Sequence, residues 1–302
     1  MTRPRCDLID RENGGFYHLY DRCVRQAWLC GEDPYTGKNY DHRREWIEHR
    51  MLFLTEIFPV DIYAYAVMSN HYHMVVNYCP ARACEWSDAE VARRWSRVFG
   101  PRSEDPGIRA VYEAALLADS IRLAEIRQRL GDLSWYMRCL NEHIARRANA
   151  EEDRTGRFWD GRFESRPLAD AQAIHACMVY NDLNPLRAGM VDTLDAPQRT
   201  SLRRRLEELE GTPSRLGEPL SPLQLEASSG RVLTAGEPAL ETPLSAYLTQ
   251  VQWTASRCQG ERTGTDPPMT WRGSETWLKA FAAQRRRGWR RGGIPAWLVA
   301  IA

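Results

Sequence analysis

Two neighbouring segments constrain this chain more than any other feature. Residues 60–67 (Val60-Asp61-Ile62-Tyr63-Ala64-Tyr65-Ala66-Val67) and 71–78 (His71-Tyr72-His73-Met74-Val75-Val76-Asn77-Tyr78) are rich in β-branched and aromatic residues, and Ser69-Asn70 separates them. Two such runs around a short polar turn predict a hairpin. Strand side chains alternate between faces, so His71 and His73 share one face while Tyr72 points the other way into a core. Both imidazoles can then reach one metal ion. A bare His-x-His is weak by itself, because two histidines on a half-exposed strand face form the same pattern.

The hairpin fits a wider alternation of strands and helices. Residues 16–28 predict a first strand with a turn after it. Residues 41–58 predict an amphipathic helix, with Trp46, Ile47, Met51, Leu54 and Ile57 at three- and four-residue spacing, ended by Pro59. Residues 80–110 carry Pro80, Gly100, Pro101, Pro106 and Gly107 and read as an irregular insertion with a short helix around 88–98. A long helical stretch over about 111–150, broken near Gly131-Asp132, comes next, and 157–168 reads as a strand or extended loop. A helix over 170–182 has Ala171, Ile174, Cys177 and Met178 on one face and is stopped by Pro185. The expected fold class is α+β, a small antiparallel-type sheet flanked by helices, over roughly 1–195. A connecting segment over 196–245, with Pro, Gly, Ser and Thr abundant from 211, leads to a basic, aromatic C-terminal region with helical character over 246–302.

Composition removes several classes. No apolar run reaches the length of about 18 residues that a membrane span requires. The opening Met1-Thr2-Arg3-Pro4 lacks the apolar core of a secretory signal, so a cytoplasmic location is expected. The 8 cysteines form no Cys-x-x-Cys pair, which argues for free thiols over a zinc knuckle. A net charge of +1 gives no global signature of nucleic-acid binding, although 11 Trp and an excess of Arg over Lys suit base stacking and phosphate pairing.

Three further groups bear on chemistry. Tyr180 and Asn184 lie four residues apart, so one helix face carries a phenol above a carboxamide. Tyrosine is a weak nucleophile with a pKa near 10 and needs a neighbouring cation for activation. Asn184 offers an oxygen to a hard cation. A packing Tyr followed by an Asn at a helix end is the structural alternative. Arg157, Arg162 and Arg166 alternate with aromatics in Arg157-Phe158-Trp159-Asp160-Gly161-Arg162-Phe163-Glu164-Ser165-Arg166, a pattern for phosphates and bases or for an edge strand with solvated charge. Arg285, Arg286, Arg287, Arg290 and Arg291 surround Trp289, a candidate contact to a DNA backbone.

Four segments in order resemble the IS200-type and REP-associated tyrosine transposases. Tyr17-His18-Leu19-Tyr20-Asp21-Arg22 resembles the family's first strand, and 64–76 resembles its HUH motif with the preceding strand and turn. Gly161-Arg162-Phe163 resembles an aromatic-Gly-Arg-aromatic segment upstream of the catalytic helix. Tyr180 through Val191, with Asn184-Pro185-Leu186-Arg187-Ala188-Gly189, resembles the catalytic tyrosine and its Asn-Pro-x-Arg-Ala-Gly signature. The resemblance covers about 15–80 and 155–192.

That resemblance implies roles. His71 and His73 bind a divalent metal, Mg²⁺ or Mn²⁺, and Asn184 stands where the family has its third ligand. Tyr180 attacks the scissile phosphate and is linked to the 5′ side, leaving a 3′-hydroxyl for rejoining. Arg187 of the signature joins Arg157, Arg162, Arg166 and the C-terminal arginines as expected DNA contacts. Single-stranded DNA with hairpins is the expected partner, and a homodimer the expected assembly. The chain departs from the family in its long separation between His73 and Tyr180 and in Asn181-Asp182 after the tyrosine. A non-catalytic DNA-binding protein of the same fold, and a hydrolase in which water attacks, are the competing readings.

Overall fold

The computed structural model describes residues 8–24, 28–103, 105–168, 170–194, 196, 199–211, 219–223 and 240–258. In chain order the elements are β1 (Gly15–Arg22), α1 (Arg43–Thr55), β2 (Val60–Val67), β3 (His71–Tyr78), α2 (Ala81–Glu85), α3 (Asp88–Phe99), α4 (Pro106–Leu117), α5 (Ser120–Leu130) and α6 (Leu133–Glu151). There follow β4 (Glu164–Leu168), α7 (Ala171–Asp182), α8 (Asn184–Arg187), α9 (Ser201–Gly211), β5 (Pro219–Leu220), β6 (Leu240–Pro243) and α10 (Leu244–Cys258). The strands β2-β3-β1-β4 form one sheet in that order, and every neighbouring pair is antiparallel. The fold is therefore the expected α+β sheet flanked by helices.

The predicted hairpin closes at Met68, whose amide donates to the carbonyl of His71 at 2.8 Å. Its tip is tied down from outside. The Ser69 carbonyl accepts from the amides of Leu29 and Cys30, and the Asn70 carbonyl from that of Cys23. A turn with its carbonyls occupied holds the start of β3 in place.

One face of the sheet is sealed by α1 and α6. Tyr17 and Leu19 of β1, Tyr72, Met74 and Val76 of β3, and Ile47, Met51, Met137, Leu140 and Ile144 of the helices belong to one buried cluster. A second cluster covers part of the other face, where α7, α9 and α10 pack against Tyr63, Ala64 and Val75. Asp170 caps α7, accepting from the Ala173 amide at 2.7 Å.

Several sequence expectations shift. Residues 80–110, expected to be largely irregular, are mostly helical. Pro106 opens α4 at its first turn, where a missing N–H costs nothing, and Asp105 caps it. Helix α7 ends at Asp182 as expected, and Pro185 lies in the first turn of a separate short helix, α8. The expected connection from 196 contains α9, and the start of the C-terminal region is α10, with Tyr247 and Val251 fully buried. Among the described residues no helix is long and apolar enough to cross a membrane.

Candidate active site

Sheet register gathers the polar groups. Tyr20 stands opposite His73 and Arg22 opposite His71. On the far side of β1, Arg166 stands opposite His18 and Glu164 opposite Tyr20. Opposed residues in an antiparallel sheet point to the same side, so one face collects His18, Tyr20, His71, His73, Glu164 and Arg166. Val75 lies on that same face, two residues beyond His73, and packs into the cluster beneath α7.

The histidine rings are close and differently constrained. Those of His71 and His73 meet edge to face, with centroids 4.8 Å apart. Nδ1 of His71 lies 2.6 Å from Oδ1 of Asn70. An amide oxygen only accepts, so Nδ1 carries the proton and Nε2 keeps its lone pair. Burial, aided by the Arg22 charge, pulls the His71 pKa down to about 4, which keeps this imidazole neutral at neutral pH. Nδ1 of His73 lies 3.1 Å from Nε2 of His18, and both residues are buried.

Helix α7 brings the phenol over these rings. The Tyr180 ring centroid is 5.8 Å from that of His73 and 6.2 Å from that of His18, edge-on to both. The Arg187 guanidinium carbon sits 5.1 Å from the Tyr180 ring centre. A guanidinium in this position can pair with a phosphate. Tyr180 is half-buried.

Asn184 follows one helical turn later, buried, and its Nδ2 has no hydrogen-bond partner. Among the described residues no three His, Cys, Asp or Glu side chains are arranged as a metal cage. A divalent ion here would have His71 and His73 and would complete its shell from an amide, a phosphate or water. The bare Nε2 of His71 fits that donor set, whereas the unpartnered atom of Asn184 is a hydrogen-bond donor, so only its Oδ1 could serve as a ligand.

The remaining predicted contacts are spread out. Arg157 turns back on its own loop, donating to the carbonyls of Trp159, at 2.7 Å, and Asp160. Phe158 and Trp159 are buried in the core and do not present faces to bases. Arg162 is exposed, and Arg166 rests against Tyr20 with 5.8 Å from guanidinium carbon to ring centre. Arg285, Arg286, Arg287, Arg290 and Arg291 lie outside the described residues. Beside the hairpin tip a cleft of about 540 Å³ runs past Arg44, Glu48, Pro185, Met190, Arg199 and Arg203. Its arginines are ion-paired, Arg199 with Glu48 at 3.0 Å and Arg203 with Glu207 at 2.9 Å.

No protein-family model matches the chain. No curated protein matches it either. Among solved structures it is similar to a REP-associated tyrosine transposase bound to a REP hairpin. The two share 13% identity at a TM-score of 0.41, over 68% of this chain and 86% of the other.

Sequence reasoning assigned no role to His18 and Tyr20. The signal for them was present: β1 alternates the buried Tyr17 and Leu19 with Phe16, His18 and Tyr20, which places the latter three on the face of the histidine pair once β1 is set beside β3.

Proposed function

We propose that this protein is a metal-dependent transesterase that nicks and rejoins single-stranded DNA with hairpin-forming ends through a tyrosine. The observation that carries the reading is the position of Tyr180, with its ring against His73 and His18 and the Arg187 guanidinium at its side. A phenol, paired imidazoles and a cation around one point are what phosphoryl transfer to a tyrosine requires.

His71 and His73, with Asn184, would hold a divalent cation, Mg²⁺ or Mn²⁺. When bound, that cation supplies electrophilic polarisation of the phosphate and offsets its developing charge. Arg187, beside the Tyr180 ring, draws the phosphate in. The Tyr180 oxygen gives its proton to water and bonds to phosphorus. The P–O3′ bond breaks, and the 3′-oxygen takes a proton from water as it leaves. The strand stays attached through a 5′-phosphotyrosine, which conserves the bond energy for a later attack by a 3′-hydroxyl. The helix carrying Tyr180 is held by α9 and α10, so the nucleophile sits on a fixed element. The homodimer belongs to the same proposal.

The test uses the purified chain, hairpin oligonucleotides labelled at the 5′ or 3′ end, and Mg²⁺ or Mn²⁺. A covalent protein–DNA band that needs metal and vanishes in Tyr180→Phe is the expected result. Cleavage surviving in Tyr180→Phe would make water the nucleophile. Binding without any covalent species, over several oligonucleotides and both metals, would leave a non-catalytic DNA-binding protein.

A further inference from the structure

We propose that His18 is a positioning residue: its Nε2 accepts a hydrogen bond from Nδ1–H of His73 and thereby turns the Nε2 lone pair of His73 towards a bound cation. The inference deepens the proposed function and rests on its metal site.

The argument begins with a pair of nitrogens. His18 Nε2 and His73 Nδ1 are 3.1 Å apart, and their rings lie within 22° of parallel. Both side chains are buried, at 5% and 7% exposure, so water does not readily replace either partner. One of the two nitrogens must donate and the other accept. If His18 donates, His73 holds its proton on Nε2 and has no lone pair left on that nitrogen. If His73 donates, its Nε2 keeps a lone pair.

Its neighbour on the strand indicates the direction. His71 already has Nδ1 directed at an accepting amide oxygen, that of Asn70 at 2.6 Å, which leaves its Nε2 bare. His73 likewise uses Nδ1 for a protein contact. Two ligands that present Nε2 must both carry the proton on Nδ1, and only an acceptor at position 18 meets that demand. His18 then carries its own proton on Nδ1. Partners of this kind fix ring orientation and ligand basicity in metal sites generally. Tyr180 lies edge-on to both rings, so a misplaced His73 would also disturb the nucleophile's surroundings.

The test takes the full chain in three forms, wild type, His18→Leu and His18→Gln. Two quantities are read: the tautomer of His73, from ring ¹H–¹⁵N correlations in histidine-labelled protein without metal, and Mn²⁺ affinity by electron paramagnetic resonance. Glutamine keeps an acceptor oxygen and leucine does not. In the wild type His73 should carry its proton on Nδ1. His18→Leu should mix the tautomers and weaken Mn²⁺ binding by about 10–100-fold, while His18→Gln should largely restore both. A wild-type His73 protonated on Nε2 overturns the proposal, and so does a His18→Leu protein with unchanged tautomer and affinity. If His18→Gln keeps the tautomer yet binds Mn²⁺ as poorly as His18→Leu, His18 is itself a ligand and the positioning role is wrong. A wild type that binds no Mn²⁺ would defeat the metal-site reading, whereas the His73 tautomer would still decide the hydrogen bond. The wild-type measurement stands even where a variant fails to fold.

Discussion

Strand β3 has two sides that do different work. Tyr72, Met74 and Val76 face α1 and α6 and are completely enclosed. His71 and His73 face the other way, where α7 covers Val75 but leaves Tyr180 half-buried beside them. The enclosed side is braced by a polar chain. Tyr72 donates to Oδ1 of Asn141 on α6, whose Nδ2 donates to Asp21 at 2.6 Å. A strand whose back is fixed this firmly holds the polar side chains of its front in place. Packed and polar side chains alternate at single-residue spacing.

The largest expected effect lies on the front. Tyr180→Phe removes one oxygen and should reduce the covalent DNA adduct by on the order of 10⁴-fold or more, with thermal unfolding unchanged. An adduct that persists in this variant assigns the nucleophile elsewhere. Next comes a paired comparison on β3 itself. Tyr72→Ala should cost about 3–5 kcal/mol in denaturant unfolding, the range for deleting a large buried aromatic. His71→Ala, one residue away, should cost about 1 kcal/mol or less and instead lose Mn²⁺ binding. Equal stability losses in the two variants would mean that the front is a packing surface and not a site.

The alternation on β3 was legible in the sequence because strand periodicity is local: hydrophobic content and a two-residue turn place both histidines on one side. Helices α1 and α7 were legible within two or three residues for the same reason. Pro106 misled, since a proline breaks a helix interior but suits a first turn, and only the surrounding fold distinguishes the two positions. Tyr180, His71 and His73 were recognisable as a motif. Their meeting point with His18, Tyr20 and Arg187 was not, because it depends on the order β3-β1-β4 and on how α7 lies across it, both set by long-range packing.

A buried anchor behind Tyr180 gives the next prediction. Asp182, two residues past Tyr180, is 1% exposed and accepts from the hydroxyls of Ser201 and Tyr247 and from the Leu202 amide, at 2.9 Å. It joins α7 to α9 and α10. Asp182→Ala leaves those donors unpaired and should cost roughly 2–3 kcal/mol. Tyr247→Phe removes one bond only and should cost about 1 kcal/mol. Should both leave the unfolding midpoint untouched, α9 and α10 contribute nothing to holding Tyr180 in place.

The smallest effect depends on pH and comes from the part of α7 that is pure support. His175 is buried, with Nδ1 2.7 Å from the Ala171 carbonyl and Nε2 without a hydrogen-bond partner. The carbonyl fixes the proton on Nδ1, so charging the ring means placing a second proton on an enclosed, unpartnered nitrogen. Burial accordingly lowers the His175 pKa below its ordinary 6.5, and the Ala171 contact offsets this only in part. The folded state therefore binds the proton less readily than the unfolded one. This contribution to stability is present above about pH 6.5 and is lost as pH falls from there towards the folded pKa, by at most ~1.4 kcal/mol per pH unit. In His175→Gln the acid-side fall in unfolding free energy should be shallower below about pH 6.5. An identical slope in variant and wild type would show that His175 already protonates freely in the folded chain, and α7 would then be as accessible on its supporting side as it is at Tyr180.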